Sequence, residues 1–458
     1  MYKPYQLAIT EAKADVTARK SAISKLALFC VWPLARLYCA QFIGAARVHL
    51  ENAQYFCAEY NAALLKNKRM IIAFRHPYGN EPEIMMWYII YKLKRTAKKY
   101  GIKFSRHPFV RTLYGYEILR WGGPLARWIM PRIGALPVYH AKIDMASMRE
   151  IDKAIDEGPY PIALAPEGQV TYTTDEIIHI ETGAMRFGLQ AAKRLENKDI
   201  PVEIMPFSFR FHYGEGAWRK VFKMLRRVEI LCGINNNSHA EARGRGGFYT
   251  RIECCREYIL VQNEKRYGID TGENDRPLSF NDRVDAVIDC ALRRTEEILG
   301  QKAREGNLFD KMYYLRQLNW DNIFIPGMYS LKKLPQVERS LADLKAGEAW
   351  HASRHLEMVD FCQYFKGPLP TPETSLHDTI EYVQNLFDFA NRTMGGQFNS
   401  RRTIMPSRVS FIPGKAIPVN EHLAAYKQNK KETTEQLTEQ LREQFLETAA
   451  EAAKNDRR

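Results

Sequence analysis

The chain has 458 residues, 45% of them hydrophobic and 12% aromatic, which excludes global disorder and exceeds what a single core uses, so two or more packed units are expected. Lys and Arg number 67 against 53 Asp and Glu, and the formal net charge of +14 suits an anionic membrane surface, a nucleic acid, or an acidic co-substrate such as acyl-CoA or acyl carrier protein. The 8 cysteines, at 30, 39, 57, 232, 254, 255, 290 and 362, include no CxxC pair, which argues against a zinc ribbon or a disulfide framework and for a reducing compartment.

Residues 1–25 mix charged and polar side chains, read as helical, and do not form a secretory signal. The apolar stretch Leu26–Ala46 contains Pro33, Arg36 and Gln41. A spanning helix needs roughly 20 mostly apolar residues and rejects a central Arg. The stretch reads either as one or two short helices in a membrane interface, Arg36 reaching for headgroups, or as an ordinary amphipathic core helix. Residues 47–240 alternate short apolar runs with longer amphipathic ones, the pattern of an α/β layer fold. The expected strands are Met70–Phe74, Ala135–Tyr139, Ile162–Ala165, Val202–Phe207 and Val228–Cys232. Glu83–Lys99 is an expected helix. Nine Lys or Arg and a single acid lie between Lys92 and Arg120, interleaved with aromatics, a mixture suited to lipid headgroups and equally to a solvated helix face.

Arg243, Gly244, Arg245, Gly247 and Arg251 suggest a flexible basic loop; it is not a P-loop, because no GK[ST] follows. Residues 281–300 read as an amphipathic helix with Asn281 as N-cap and Gly300 as stop. Aromatic-rich runs and Pro/Gly turns follow, and 376–393 is helical again. From Lys427 to the end, seven basic residues face seven acids, which reads as a solvent-exposed helix.

The chemistry concentrates in a few turns. The strand Met70–Phe74 leads into His76-Pro77-Tyr78-Gly79-Asn80-Glu81. An imidazole takes a proton near neutral pH, and a carboxylate fixes its tautomer and steadies its charge. Downstream come Ile133-Gly134-Ala135-Leu136-Pro137-Val138-Tyr139-His140, then Leu164-Ala165-Pro166-Glu167-Gly168-Gln169, then a helix opening at Gly183, then Ile200-Pro201-Val202-Glu203-Ile204-Met205-Pro206.

Over roughly 25–300, this set resembles the glycerolipid acyltransferase family, which includes the lysophosphatidate acyltransferases. The His turn, the Gly-led strand, the Pro-Glu-Gly turn and the Pro-bounded strand fall in the family's order. The resemblance implies a layered α/β acyltransferase domain with a mixed sheet, preceded by interfacial helices and followed by a mostly helical extension. It implies transfer of a fatty acyl group from acyl-CoA or acyl carrier protein, as co-substrate, to a hydroxyl of a lysophosphatidate-like glycerolipid. His76 would be the general base and Glu81 its partner. Gly134, His140, Lys142, Glu167, Gly168, Gln169 and Arg186 would serve the substrate, and Pro206 the strand. The family needs no cofactor and no metal, and no ligand cluster of metal spacing is present. The organisation would be 1–46 interfacial helices, 47–300 acyltransferase domain, 301–425 accessory helical region and 426–458 charged tail. The protein would be membrane-associated with its active site on the cytoplasmic side, with membrane lipids as partners and no nucleic acid.

Three departures stand out. Glu81 replaces the family's Asp, which lengthens the reach and asks for a shifted backbone. His140 stands where the family has Arg, and lacks the bidentate fork that holds phosphate. Gln169-Val170 stands where the family has Thr-Arg. Either Lys142, Arg132 or Arg186 takes over the phosphate, or the acceptor is a non-phosphate lipid alcohol. A catalytically silent membrane-binding adaptor of the same fold is the alternative from another class. A serine hydrolase is not supported, because no G-x-S-x-G elbow occurs.

Overall fold

The computed structural model describes residues 9–17, 19–41, 43–45, 47–139, 144–234, 245–269, 278–394 and 403–455. They divide into two compact units: Ala18–His212 with Met405–Arg458, and Met1–Thr17 with Tyr213–Ile404. The chain thus leaves the first unit after His212 and returns to it at Met405, a division different from the boundaries expected at 300 and 425.

The first unit is built on an eight-stranded mixed sheet. Its strands are β1 (Val48–Leu50), β2 (Arg69–Phe74), β3 (Arg111–Gly115), β4 (Leu136–Val138), β5 (Ile162–Leu164), β6 (Val202–His212), β7 (Arg408–Pro413) and β8 (Ile417–Pro418). The order is β1-β7-β6-β2-β5-β3-β4, with β8 on the first half of β6. From β6 to β4 neighbours are parallel; β7 runs antiparallel to β6, with Phe209 opposite Phe411. Every residue of β2 is buried, as a central strand covered on both faces must be, and this produces its unbroken apolar run.

Gly183–Leu195 and Lys430–Asn455 cover one face. Leu189, Ile204, Leu437, Leu441 and Phe445 share one core. Gly188 keeps the contact close there: a Cβ would stand 3.0 Å from Ile204 Cδ1. The charged tail is therefore not a free helix; one of its faces is core. Lys25–Gln41 is helical around Pro33. Among the described residues no helix is long and apolar enough to cross a membrane.

The second unit is helical: Ala217–Cys232, Arg245–Tyr267, Phe280–Ile298, Leu308–Ile323, Gln336–Phe365 and Leu376–Thr393. Val228–Cys232, expected as a strand, is the last turn of the first of these. Val221, Leu225, Val228 and Cys232 bury one helical face, and Gly233 ends it at φ +68°. A short apolar run does not distinguish a strand from a buried helix turn. Phe280–Ile298 is capped by Ser279 in a reciprocal box with Asp282, two residues before the expected N-cap Asn281. Gly247 lies inside the helix Arg245–Tyr267 rather than in a loop, while Arg243 and Gly244 lie outside the described residues. Within residues 9–24, expected to be helical, Lys13–Ala14 instead pairs as a short strand with Phe324–Ile325.

Candidate active site

β2 ends at Phe74 and is followed by Arg75 and His76. The chain then turns through Gly79, at φ +92°, into the helix Glu81–Tyr88, with Pro82 in its first turn. Only a residue without Cβ takes that turn without strain. The turn folds the first helical side chain back beneath the imidazole. The Glu81 carboxylate is fully buried; it lies 2.7 Å from His76 Nδ1 and accepts the N–H groups of Tyr78 at 2.8 Å and Gly79 at 2.9 Å. The longer Glu side chain therefore closes the contact that the sequence left in question, because it starts at the helix N-terminus directly under the turn.

This arrangement sets the protonation of His76. Glu81 accepts the Nδ1–H hydrogen bond, which keeps that proton on Nδ1 and leaves Nε2 as the basic atom. Nε2 has no hydrogen-bond partner among the described residues, and the His76 side chain is 18% exposed. Burial opposes the imidazolium, but the hydrogen bond and charge of Glu81, with the charges of Glu167 and Glu83, lift the His76 pKa above the ordinary imidazole value. The turn's backbone N–H groups are engaged at Tyr78 and Gly79 by Glu81 and at His76 by Glu167.

The second turn follows β5. Gly168, at φ +69°, closes it by donating to Ala165 O at 3.2 Å. Glu167 is fully buried. Its Oε2 accepts the His76 backbone N–H at 2.6 Å and its Oε1 accepts Arg75 Nε at 2.7 Å. Both oxygens thus accept hydrogen bonds from the chain itself. Arg75 spends its remaining donors on the carbonyls of Thr173, Thr174 and Glu176, and Phe445 of the C-terminal helix lies against its guanidinium at 5.8 Å. Thr171 N–H donates to His76 O at 3.1 Å. Val170, next to the half-buried Gln169, packs 3.5 Å from where a Gly79 Cβ would stand.

Because β2, β5, β3 and β4 are parallel, the residues that follow them lie along one edge of the sheet, where α/β folds bind ligands. His76, Glu167 and Gly168 are there. So are Tyr116 and Tyr139, stacked at 4.1 Å, with Arg120 over Tyr116. Gly134 is not: it precedes β4 and so sits at the opposite edge, where its carbonyl accepts Arg111 Nε at 3.0 Å. Its φ of +77° marks a structural turn. Arg186 is exposed on the first turn of Gly183–Leu195 and touches neither His76 nor Glu81. Arg132 caps its own helix, donating to Trp128 O. His140 and Lys142 lie outside the described residues.

Sequence reasoning missed Arg75 and Phe445. The only signal for Arg75 was a basic residue directly after a buried strand. A cleft of about 660 Å³ lined by His49, Glu51, Tyr55 and Tyr100 includes no residue of the His76 turn. No cluster of metal-ligating side chains occurs among the described residues.

Compared with known proteins, the chain matches no family model and no curated protein.

Proposed function

We propose that this protein is an O-acyltransferase that moves a fatty acyl group from a thioester donor, acyl-CoA or acyl carrier protein, to a lipid hydroxyl, and that the first unit is its layered acyltransferase domain. The observation that carries the reading is the His76–Glu81 pair: a buried carboxylate on Nδ1 at 2.7 Å and an Nε2 without a hydrogen-bond partner among the described residues, at the carboxyl edge of the parallel strands. An alcohol is a weak nucleophile until a base is placed on it. Nε2 would take the acceptor hydroxyl proton as the oxygen attacks the thioester carbonyl. The C–S bond then breaks, the imidazolium returns the proton to the leaving thiolate, and an ester and a free thiol result. Glu81 stabilises the transient imidazolium.

The membrane part of the reading is supported by exposed apolar side chains. Leu26, Phe29, Leu34 and Leu37 of the helix Lys25–Gln41 are exposed, Phe29 by 78%, beside exposed Lys25 and Arg36. Trp121, Leu125 and Trp128 are also exposed, Leu125 by 71%. The two groups are joined by backbone bonds from Ala22 to Pro131 and from Ser24 to Arg132. Aromatic and aliphatic side chains set among cations suit an anionic interface.

The acceptor is proposed to be glycerolipid-like. The test is mass-spectrometric detection of acylated product after incubation of the purified protein with palmitoyl-CoA and, in parallel, lysophosphatidate, glycerol 3-phosphate, lysophosphatidylglycerol and lysogalactolipid. A product with one acceptor supports the reading and names the acceptor. No product from any acceptor, with acyl-CoA or with acyl carrier protein as donor, contradicts it.

A further inference from the structure

Among the described residues, the buried anion that touches the His76 backbone is not Glu81 but Glu167. Its carboxylate spans two elements: Oε2 accepts the His76 N–H at 2.6 Å, and Oε1 accepts Arg75 Nε at 2.7 Å. Arg75 is 1% exposed and reaches three carbonyls of the segment after the Pro-Glu-Gly turn. With the bond from Thr171 N–H to His76 O, the strand end that carries the imidazole is tied on both sides to residues 167–176. An ion pair so enclosed is costly to desolvate, and a hydrophobic pair of the same volume would serve folding as well or better. Its value lies in what it fixes: the direction of the His76 backbone and a negative charge beside the imidazole.

We propose that Glu167, held by Arg75, is a positioning residue for His76 that sets the orientation and the basicity of the imidazole and does not contact the acceptor. Its catalytic meaning rests on His76 acting as the base. The substitution Glu167→Gln removes the charge: with its amide oxygen on the His76 N–H, its NH₂ group faces Arg75 Nε, so the variant keeps the backbone bond and gives up the ion pair.

The test is an NMR titration of the ring signals in ¹³C-histidine-labelled full-length protein. The chain has 11 histidines, and His76 is assigned by the signal lost in His76→Gln. The His76 midpoint is expected to fall by roughly half a pH unit to one unit in Glu167→Gln, the scale of a lost neighbouring charge. An unchanged midpoint in a folded Glu167→Gln protein overturns the proposal. Should that variant not fold, Glu167→Asp carries the test: the shortened carboxylate does not reach both partners, and a midpoint identical to wild type overturns the proposal in the same way.

The titration uses no substrate, so it stands even if acyl transfer fails. Where acceptor-dependent turnover is measured, Glu167→Gln is expected to lower kcat by about tenfold or more with acceptor KM within about twofold. A raised acceptor KM at unchanged kcat would assign Glu167 to the acceptor instead.

Discussion

Replacing Glu81 by Gln removes the charge of a fully buried carboxylate and keeps its shape. The carboxylate holds His76 Nδ1 at 2.7 Å and the N–H groups of Tyr78 and Gly79 at 2.8 and 2.9 Å. Tyr78 N–H is held by Oε1, while Gly79 N–H and Nδ1 share Oε2, so a glutamine oxygen keeps one side only. With the oxygen on Tyr78, the NH₂ group faces Nδ1 as a donor and the imidazole must move its proton to Nε2, the atom needed as acceptor; with the oxygen on Nδ1, the charge that steadies the imidazolium is lost and Tyr78 N–H faces the NH₂ group. A histidine locked in the wrong tautomer costs on the order of 10⁴-fold in kcat where this has been dissected, and a loss of about 10³-fold or more is expected here. Hydrogen bonds to charged groups contribute about 1.5–3 kcal/mol, and exchanging these for neutral ones is expected to cost about 2 kcal/mol of stability. The pH dependence has a definite sign. The folded-state pKa of His76 is raised, so its stabilisation is fully present below the ordinary imidazole value and disappears as pH rises through the folded value. The stability gap between wild type and Glu81→Gln should therefore be wider near about pH 5 than near about pH 9, read by urea unfolding at each pH. Thiol-release kinetics provide the kcat. A folded Glu81→Gln protein with kcat within about threefold of wild type would refute the tautomer argument.

Three further variants probe the surroundings. Gly134→Ala places a Cβ 2.8 Å from Ile23 Cγ1 at φ +77°, so a loss of about 1–3 kcal/mol in urea unfolding is expected, with acceptor KM unchanged because Gly134 sits at the far sheet edge. Phe445→Ala empties a fully buried position in the core shared with Leu437 and Leu441 and uncovers Arg75; about 3–5 kcal/mol of destabilisation is expected in the same assay, whereas a free tail helix would lose almost nothing. Leu26→Glu with Phe29→Glu alters two exposed side chains, so thermal unfolding should hold while sedimentation with anionic vesicles falls by about tenfold or more; unchanged vesicle binding would exclude this helix as the contact.

The parts of the fold that could be read from sequence are those with local causes. β2 and β5 are buried throughout, and β4 and the start of β6 nearly so, and they announce themselves as short, mostly apolar runs. β3 escaped because Arg111-Thr112-Leu113-Tyr114-Gly115 lies in a basic stretch and alternates buried with half-buried positions. β7 escaped because its pairing with β6 joins segments separated by the whole helical unit, and nothing local marks so distant a partner. The tail helix misled for a related reason: Leu437, Leu441 and Phe445 are a thin apolar stripe among charges, and its counterpart is elsewhere in the chain. In the site, the spacing of His76 and Glu81 was legible because a turn and one helical residue bring them together. Glu167 was legible as part of the Pro-Glu-Gly turn, but its bonds to Arg75 and to the His76 N–H were not, since no pattern of spacing reveals the course of Arg75.

The most direct test of the central claim is free-thiol release from palmitoyl-CoA by the purified protein, wild type against His76→Ala, with and without a lysoglycerolipid acceptor. Release that depends on the acceptor and disappears in His76→Ala is the expected result. Release that persists undiminished in His76→Ala would contradict the role of His76 as the base.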